Sequence, residues 1–159
     1  MVDFDRADAR ILARLQTDAD ITIAELAEAV GLSSNACWRR VKALEEDRVI
    51  RGRVALLDAG KLGLGTTVFV SIRTSQHSEE WLESFAKGVA TIPEIVEVYR
   101  MSGEVDYLLK IIVQDITHYD RVYRKLIRTV SLQDVSSSFA MEELKHTTAL
   151  PLTEVAFKP

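Results

Sequence analysis

Over the first fifty residues apolar positions recur at helical spacing, and beyond position 65 alternating segments appear between helical ones. Ala7, Ile11, Leu12 and Leu15 share one face of a helix predicted over about residues 5–16, and Thr17-Asp18-Ala19-Asp20 is a polar break. Thr22, with Glu25 three positions later, has the makings of a capping box. Ile23, Leu26, Ala27 and Val30 then form the apolar stripe of a second helix, in which the small Ala27 lets a crossing helix approach. Gly31 is placed to take a positive φ at the helix end, Leu32 plugs the corner, and Ser33 or Ser34 caps a third helix. In that third helix Cys37, Val41 and Leu44 are spaced i, i+4, i+7 and face inward. The three helices end near Arg48.

Residues 51–65 contain Gly60, Gly63 and Gly65 and read as a linker, with one short strand expected over residues 53–57. A strand over residues 66–74 places Val68, Val70 and Ile72 on one face and Thr67, Phe69 and Ser71 on the other. A helix follows over residues 78–90, with Trp81, Leu82, Phe85 and Val89 on its buried stripe and Pro93 beyond its end. Strands over residues 95–101 and 107–113 flank a turn at residues 102–106. A helix over residues 117–130 aligns Tyr119, Val122, Tyr123, Leu126, Ile127 and Val130, and a last strand covers residues 135–144. The order is βαββαβ, the split-βαβ arrangement with both helices on one face of an antiparallel sheet. The fold class is therefore α+β: a three-helix winged helix-turn-helix domain (1–50), the linker (51–65), a ferredoxin-like βαββαβ domain (66–145) and a tail (146–159). The sheet face carrying Thr67, Phe69 and Ser71 needs cover, and a second subunit supplies it most simply, so the chain is expected to be at least a dimer.

The third helix also carries chemistry. At about 100° per residue, Asn35, Arg39 and Lys42 project away from its apolar side, with Trp38 on the flank. Asn pairs with adenine and Arg with guanine in a major groove, while Lys adds phosphate contacts that position without specifying. Arg40 lies at the edge of the buried stripe within reach of a phosphate, and Arg48, Arg51 and Arg53 follow beside it. Ser33 and Ser34 stand at the N-terminal end, where a recognition helix meets bases. Glu45, Glu46 and Asp47 repel phosphate but come late in the helix. A solvated charged face on an ordinary helical hairpin is the alternative.

Composition narrows the picture. The net charge of −4 is unlike that of a protein that coats nucleic acid by bulk charge. A local basic stripe from Arg39 to Arg53 on an acidic body fits a site-specific binder of double-stranded DNA better. No apolar run approaches the roughly 18 residues of a membrane span, and the acidic start MVDFDRADAR is not laid out as a signal peptide. One cysteine excludes an internal disulfide, and the cytoplasm is the expected compartment. Cys37 reads as a core residue, and Trp81 likewise; His77, His118 and His146 lack metal-ligand spacing, so no metal is expected. Trp38 either packs at the domain surface or lies against a backbone sugar. The serines lack a nearby base, and GLGTT lacks the lysine of a P-loop, so no catalytic residue is assigned.

Four segments together carry a family resemblance: DFDRADARILARLQTDADIT, GLSSNACWRRVKALEEDRVI, SGEVDYLLKI and SSSFAMEELKHTTALPL. On these the chain resembles the leucine-responsive regulatory protein and asparagine regulator (Lrp/AsnC) family of prokaryotic transcription factors, from Asp5 to about Leu152. The resemblance implies a regulator that binds promoter DNA as a dimer or an assembly of dimers and senses a small metabolite, commonly an amino acid, with no other cofactor. The family pattern Gly-x-x-Asp-Tyr/Phe matches at Gly103, Asp106 and Tyr107, so Ser102, Gly103, Glu104, Asp106 and Tyr107, with Ser137, are the candidate effector-binding residues. A glycine frees backbone N–H groups for a carboxylate and an aspartate accepts from an ammonium, the two ends of an amino acid. A capped turn in which Asp106 bonds its own backbone is the alternative. Relatives often carry hydroxyl residues at alternating positions starting the last strand; here Val135 replaces the first and Ser137 keeps the second, a departure that bears on which effector is bound.

Two other functions fit parts of the pattern. A small enzyme would need an acid and a base in a pocket, and Asp106 with Tyr107 is the one cluster to nominate. A non-specific architectural DNA-binding protein is disfavoured by the acidic charge.

Overall fold

The computed structural model describes residues 4–155. Two compact units emerge. One takes the described residues up to Leu56 together with those from Lys145 onward; the other is Leu57–Leu144. The expected tail is thus a part of the first unit rather than an appendage of the second.

The first unit is helical: α1 (Arg6–Leu15), α2 (Ile23–Val30) and α3 (Ser34–Glu46). Each helix start is capped by a side chain. Asp5 accepts from the N–H groups of Ala7 and Asp8 at 2.8 and 2.9 Å, and Asp8 returns the favour to the Asp5 N–H at 3.1 Å. Thr22 and Glu25 form the expected box at the start of α2. The Ser33 hydroxyl accepts from Ala36 N–H at the start of α3, so Ser33 and not Ser34 is the cap. Gly31 ends α2 with φ +71°, and the Leu32 N–H reaches back to the Ala27 carbonyl at 2.9 Å. Ile11, Leu26, Ala27, Val30, Cys37, Val41 and Leu44 make one core, joined at its margin by Val49 and Ile50. No strand forms over residues 53–57, which pair with no other strand among the described residues. The tail returns to α1: the Gln16 amide donates to the Leu150 carbonyl at 3.1 Å and accepts from the Leu150 N–H at 2.9 Å. A groove beside this clasp is lined by Leu12, Leu15, Val49, Val54, Leu150 and Leu152.

The second unit contains β1 (Thr66–Arg73), α4 (Glu79–Ala90), β2 (Ile95–Arg100), β3 (Tyr107–Val113), α5 (Ile116–Leu126) and β4 (Asp134–Phe139). The four strands form an antiparallel sheet in the order β2-β3-β1-β4, as the βαββαβ reading requires. Alternation puts Val68, Val70, Ile72, Tyr107, Leu109, Ile111 and Val113 on the face that packs against Trp81, Phe85, Val89, Tyr119, Val122 and Leu126. Leu82, expected on the buried stripe, is 37% exposed; the stripe runs through Trp81, Phe85 and Val89. α5 ends at Leu126 rather than at residue 130. Val130 still packs on the core, as does Leu132 beyond it, but from irregular backbone; the apolar character of Val130 is what extends the predicted helix to residue 130. β4 stops at Phe139 rather than at residue 144 because it pairs with β1, whose beginning is used up when Ala140 N–H reaches the Thr67 carbonyl at 2.9 Å. Phe69 and Tyr99, on the sheet face away from the helices, are 39% and 51% exposed.

Candidate nucleic-acid interface and effector region

In α3 the apolar side is anchored and the opposite side is free. Cys37, Val41 and Leu44 are buried, whereas Ser33, Ser34, Asn35, Trp38, Arg39 and Lys42 are exposed. Asn35 and Arg39 have no hydrogen-bond or ion-pair partner among the described residues. Lys42 and Arg53 are differently placed. Both bind Glu45, Lys42 Nζ to Oε2 at 2.7 Å and Arg53 to Oε1 at 2.8 Å. Hydrogen bonds from Lys42 first, then Arg53, hold the Glu45 carboxyl below the usual range. The late acidic residue is therefore a bracket for two cations. Arg51 is exposed.

Arg40 is the exception among the basic candidates. Its guanidinium turns to α1, where one nitrogen meets Asp8 Oδ1 and the other Asp5 Oδ2, each at 2.8 Å. Arg40 is therefore not the free cation that the sequence suggests for a phosphate: each of its terminal nitrogens is already paired with a carboxylate. Sequence reasoning missed Asp5 and Asp8; the pair Asp-x-x-Asp at a helix start was the available signal. Cys37 is buried, which pushes its thiol up and makes it a poor nucleophile. Trp38, 51% exposed, lies along a shallow groove with Leu15, Ile21, Ile23 and Lys42.

The turn at residues 102–106 is exposed at Ser102, Gly103 and Glu104, and Gly103 has φ +126°. Glu104 meets Arg73 at 3.4 Å. Asp106 does not bond its own backbone. Its Oδ2 accepts from Thr74 N–H at 2.8 Å, and its N–H donates to the Ile72 carbonyl at 2.9 Å, so it fastens the turn to the end of β1. Tyr107 is 5% exposed and its ring packs against Trp81 and Phe85 at 5.6 and 4.8 Å. Tyr107 is thus a core residue, and its candidacy as an effector contact fails on direction: it alternates in phase with Leu109, Ile111 and Val113. Asp106 and Tyr107 consequently do not form the acid–base pair that an enzyme would need. Ser137 faces the helices and is hydrogen-bonded to the Tyr119 hydroxyl, in a groove shared with Asp120, Tyr123, Val135 and Phe139. Burial pushes the Tyr119 phenol up. None of the residues 102–106 lines that groove. Among the described residues no group of three His, Cys, Asp or Glu side chains is arranged to hold a metal ion, and no helix is long and apolar enough to cross a membrane.

Comparison with known proteins agrees with both units. Residues 4–51 match the winged helix-turn-helix DNA-binding model, and residues 67–150 match the Lrp/AsnC ligand binding domain. The glutamate uptake regulatory protein of Zymomonas mobilis is 55% identical over 154 residues, covering 97% of this chain and 94% of that protein. The crystal structure of an AsnC family transcriptional regulator from Agrobacterium tumefaciens superposes with a TM-score of 0.93 at 54% identity, covering 96% of this chain and all of that one (100%). A transcriptional regulator from Neisseria meningitidis, solved as a complex with L-Met, has a TM-score of 0.90 at 35% identity, covering 96% of this chain and 99% of that one. With the two modules matched in order along nearly the whole length, the chain belongs to the Lrp/AsnC family of transcriptional regulators, a DNA-binding helix-turn-helix unit followed by an effector-sensing ferredoxin-like one.

Proposed function

We propose that the outward face of α3 enters the major groove of promoter DNA in the cytoplasm, with Asn35 and Arg39 reading base edges. Ser33, Ser34, Trp38, Lys42, Arg51 and Arg53 position the helix on the backbone. The observation that carries this reading is the contrast within α3: Asn35 and Arg39 stand exposed and unpartnered on a helix whose other side is locked into a core. An effector of the amino-acid class binds in the sheet unit, at Ser102, Gly103, Glu104 and Asp106 and at Ser137. The L-Met complex of the Neisseria regulator supports that class. These two places do not share one groove within a subunit, so the reading has contacts between subunits complete the site. The exposed Phe69 and Tyr99 on the uncovered sheet face support self-association. The effector shifts DNA binding only by favouring one assembly over another.

The test is titration of a duplex, selected from a random pool by the wild-type protein, at several salt concentrations. Affinity is expected to fall steeply with salt, as several phosphate contacts require. Arg39→Ala is expected to cost about 1–3 kcal/mol of discrimination between the selected duplex and a shuffled one, while Lys42→Ala weakens both alike. Salt-independent binding, or selection of no sequence, overturns the reading.

A further inference from the structure

Arg40 stands on α3, one residue from Arg39, yet its charge is spent inside the domain. The fork spans two carboxylates on a different helix: Asp5 Oδ2 and Asp8 Oδ1 each lie 2.8 Å from a guanidinium nitrogen. The other oxygens of those carboxylates are the capping box of α1, since Asp5 Oδ1 takes the Ala7 and Asp8 N–H groups and Asp8 Oδ2 takes the Asp5 N–H. Every oxygen of the pair therefore has a donor, and the first turn of α1 is joined to the middle of α3. A guanidinium is planar and its two nitrogens are fixed relative to each other, so such a link sets an orientation as well as a distance.

The apolar anchors of α3 hold it from one side. Cys37, Val41 and Leu44 lie on one narrow stripe and resist withdrawal of the helix more than its roll about its own axis. Arg40 is attached on the flank of that stripe, where a roll is resisted most. A helix with side chains has a radius of about 5–6 Å, so a roll of about 10° moves an outward side chain by about 1 Å. Hydrogen bonds to base edges lose their geometry over such a displacement, whereas flexible phosphate contacts follow it.

We propose that Arg40 is a positioning residue for sequence readout: acting through Asp5 and Asp8, it fixes the roll of α3 and so aims Asn35 and Arg39 at the bases, without touching DNA itself. This rests on the reading of α3 as the recognition helix.

The experiment uses the full chain, a duplex selected by the wild-type protein and a shuffled duplex of equal length, each titrated over a range of salt. Arg40→Lys keeps the charge and loses the fork. Asp8→Asn keeps Arg40 and removes a negative charge. Both are expected to lower affinity for the selected duplex about tenfold, leaving affinity for the shuffled duplex and the salt slope unchanged. The double variant is expected to be no worse than either single one, since the two act through one link. A phosphate-contacting Arg40 gives the opposite pattern: Asp8→Asn, which leaves it held by Asp5 alone, strengthens binding to both duplexes, and Arg40→Gln reduces the salt slope by about one. That result overturns the proposal. So do Arg40→Lys and Asp8→Asn variants that retain full discrimination. If Arg40→Lys does not fold, as judged by circular dichroism, Asp5→Asn decides, because asparagine keeps the helix cap while weakening the link. A misfolded unit loses both duplexes together, which separates a merely structural role. A wild-type protein that selects no sequence removes the recognition-helix reading itself, a different failure from intact discrimination in the variants.

Discussion

Asp5 shows how much one side chain carries in this molecule. Hydrogen bonds from the Asp8 N–H, the Arg40 guanidinium and the Ala7 N–H hold its carboxyl below the ordinary aspartate value, against the opposing effect of burial. A carboxylate whose pKa is lower in the folded state stabilises the fold above its unfolded pKa, roughly 3.9, and that contribution is lost as pH falls through the lowered folded value. Denaturation between about pH 6 and pH 2 is therefore expected to show the wild type losing stability below about pH 4, with Asp5→Asn losing less over the same interval because its side chain no longer titrates. An acid limb of identical steepness in the two proteins refutes the assignment. Residue by residue, the sequence was informative about direction on α3, where the buried triplet and the exposed Asn35 and Arg39 fell where helical spacing put them. Tyr107 was legible too: its phase with Leu109 and Ile111 marks it as inward, although it also completes the Gly-x-x-Asp-Tyr pattern. The Asp-x-x-Asp pair signals the cap of α1, but not its link to Arg40, since partners 32 and 35 positions away in the sequence are joined only by the fold.

At the scale of elements, the local signals and the long-range ones behaved differently. The Thr22–Glu25 box and the Gly31 terminus are made by neighbours in sequence, and both formed as read. Ends set by tertiary pairing moved: β4 is cut short by the length of β1, and the segment after α5 packs without being helical. Gly88 belongs to the same class. It lies in the last turn of α4, and a Cβ built there would stand 2.6 Å from Thr129 Cβ and 2.7 Å from its Cγ2. Thr129 cannot turn aside cheaply, because its hydroxyl is bonded to the Leu126 carbonyl at 2.7 Å. Gly88→Ala brings a better helix former, worth about 1 kcal/mol, against an overpacking cost of about 1–3 kcal/mol. The clash is expected to win, lowering the denaturation midpoint of the sheet unit. A raised midpoint shows that Thr129 yields freely.

For the whole molecule, the two units have separate cores, one helical and one built on the sheet. A ligand that binds the native sheet unit raises its stability by mass action, by about 2.7 kcal/mol at a hundredfold excess over the dissociation constant. A thermal-shift screen of the free amino acids is accordingly expected to single out one or a few that raise the melting temperature. Substituting Ser137 by Val should blunt the shift if the last strand contributes to the site. No shift with any amino acid rejects the proposed effector class. The division into two modules and the βαββαβ order were legible from periodicity. That residues beyond 144 fold back onto α1 was not, because a stretch of mixed residues with no period gives no sign of where it docks.

That return has a consequence for how the protein is made. Leu150 completes its pair of hydrogen bonds with Gln16 only after the entire sheet unit has left the ribosome. Every residue of the helical core lies before position 51, so that core is complete in sequence while Leu150 and Leu152, which line the groove with Leu12, Leu15 and Val49, are still to come. A fragment ending at residue 56 lacks Leu150 and Leu152, and with them the partners of the Gln16 amide and part of the groove wall at Leu12, Leu15 and Val49.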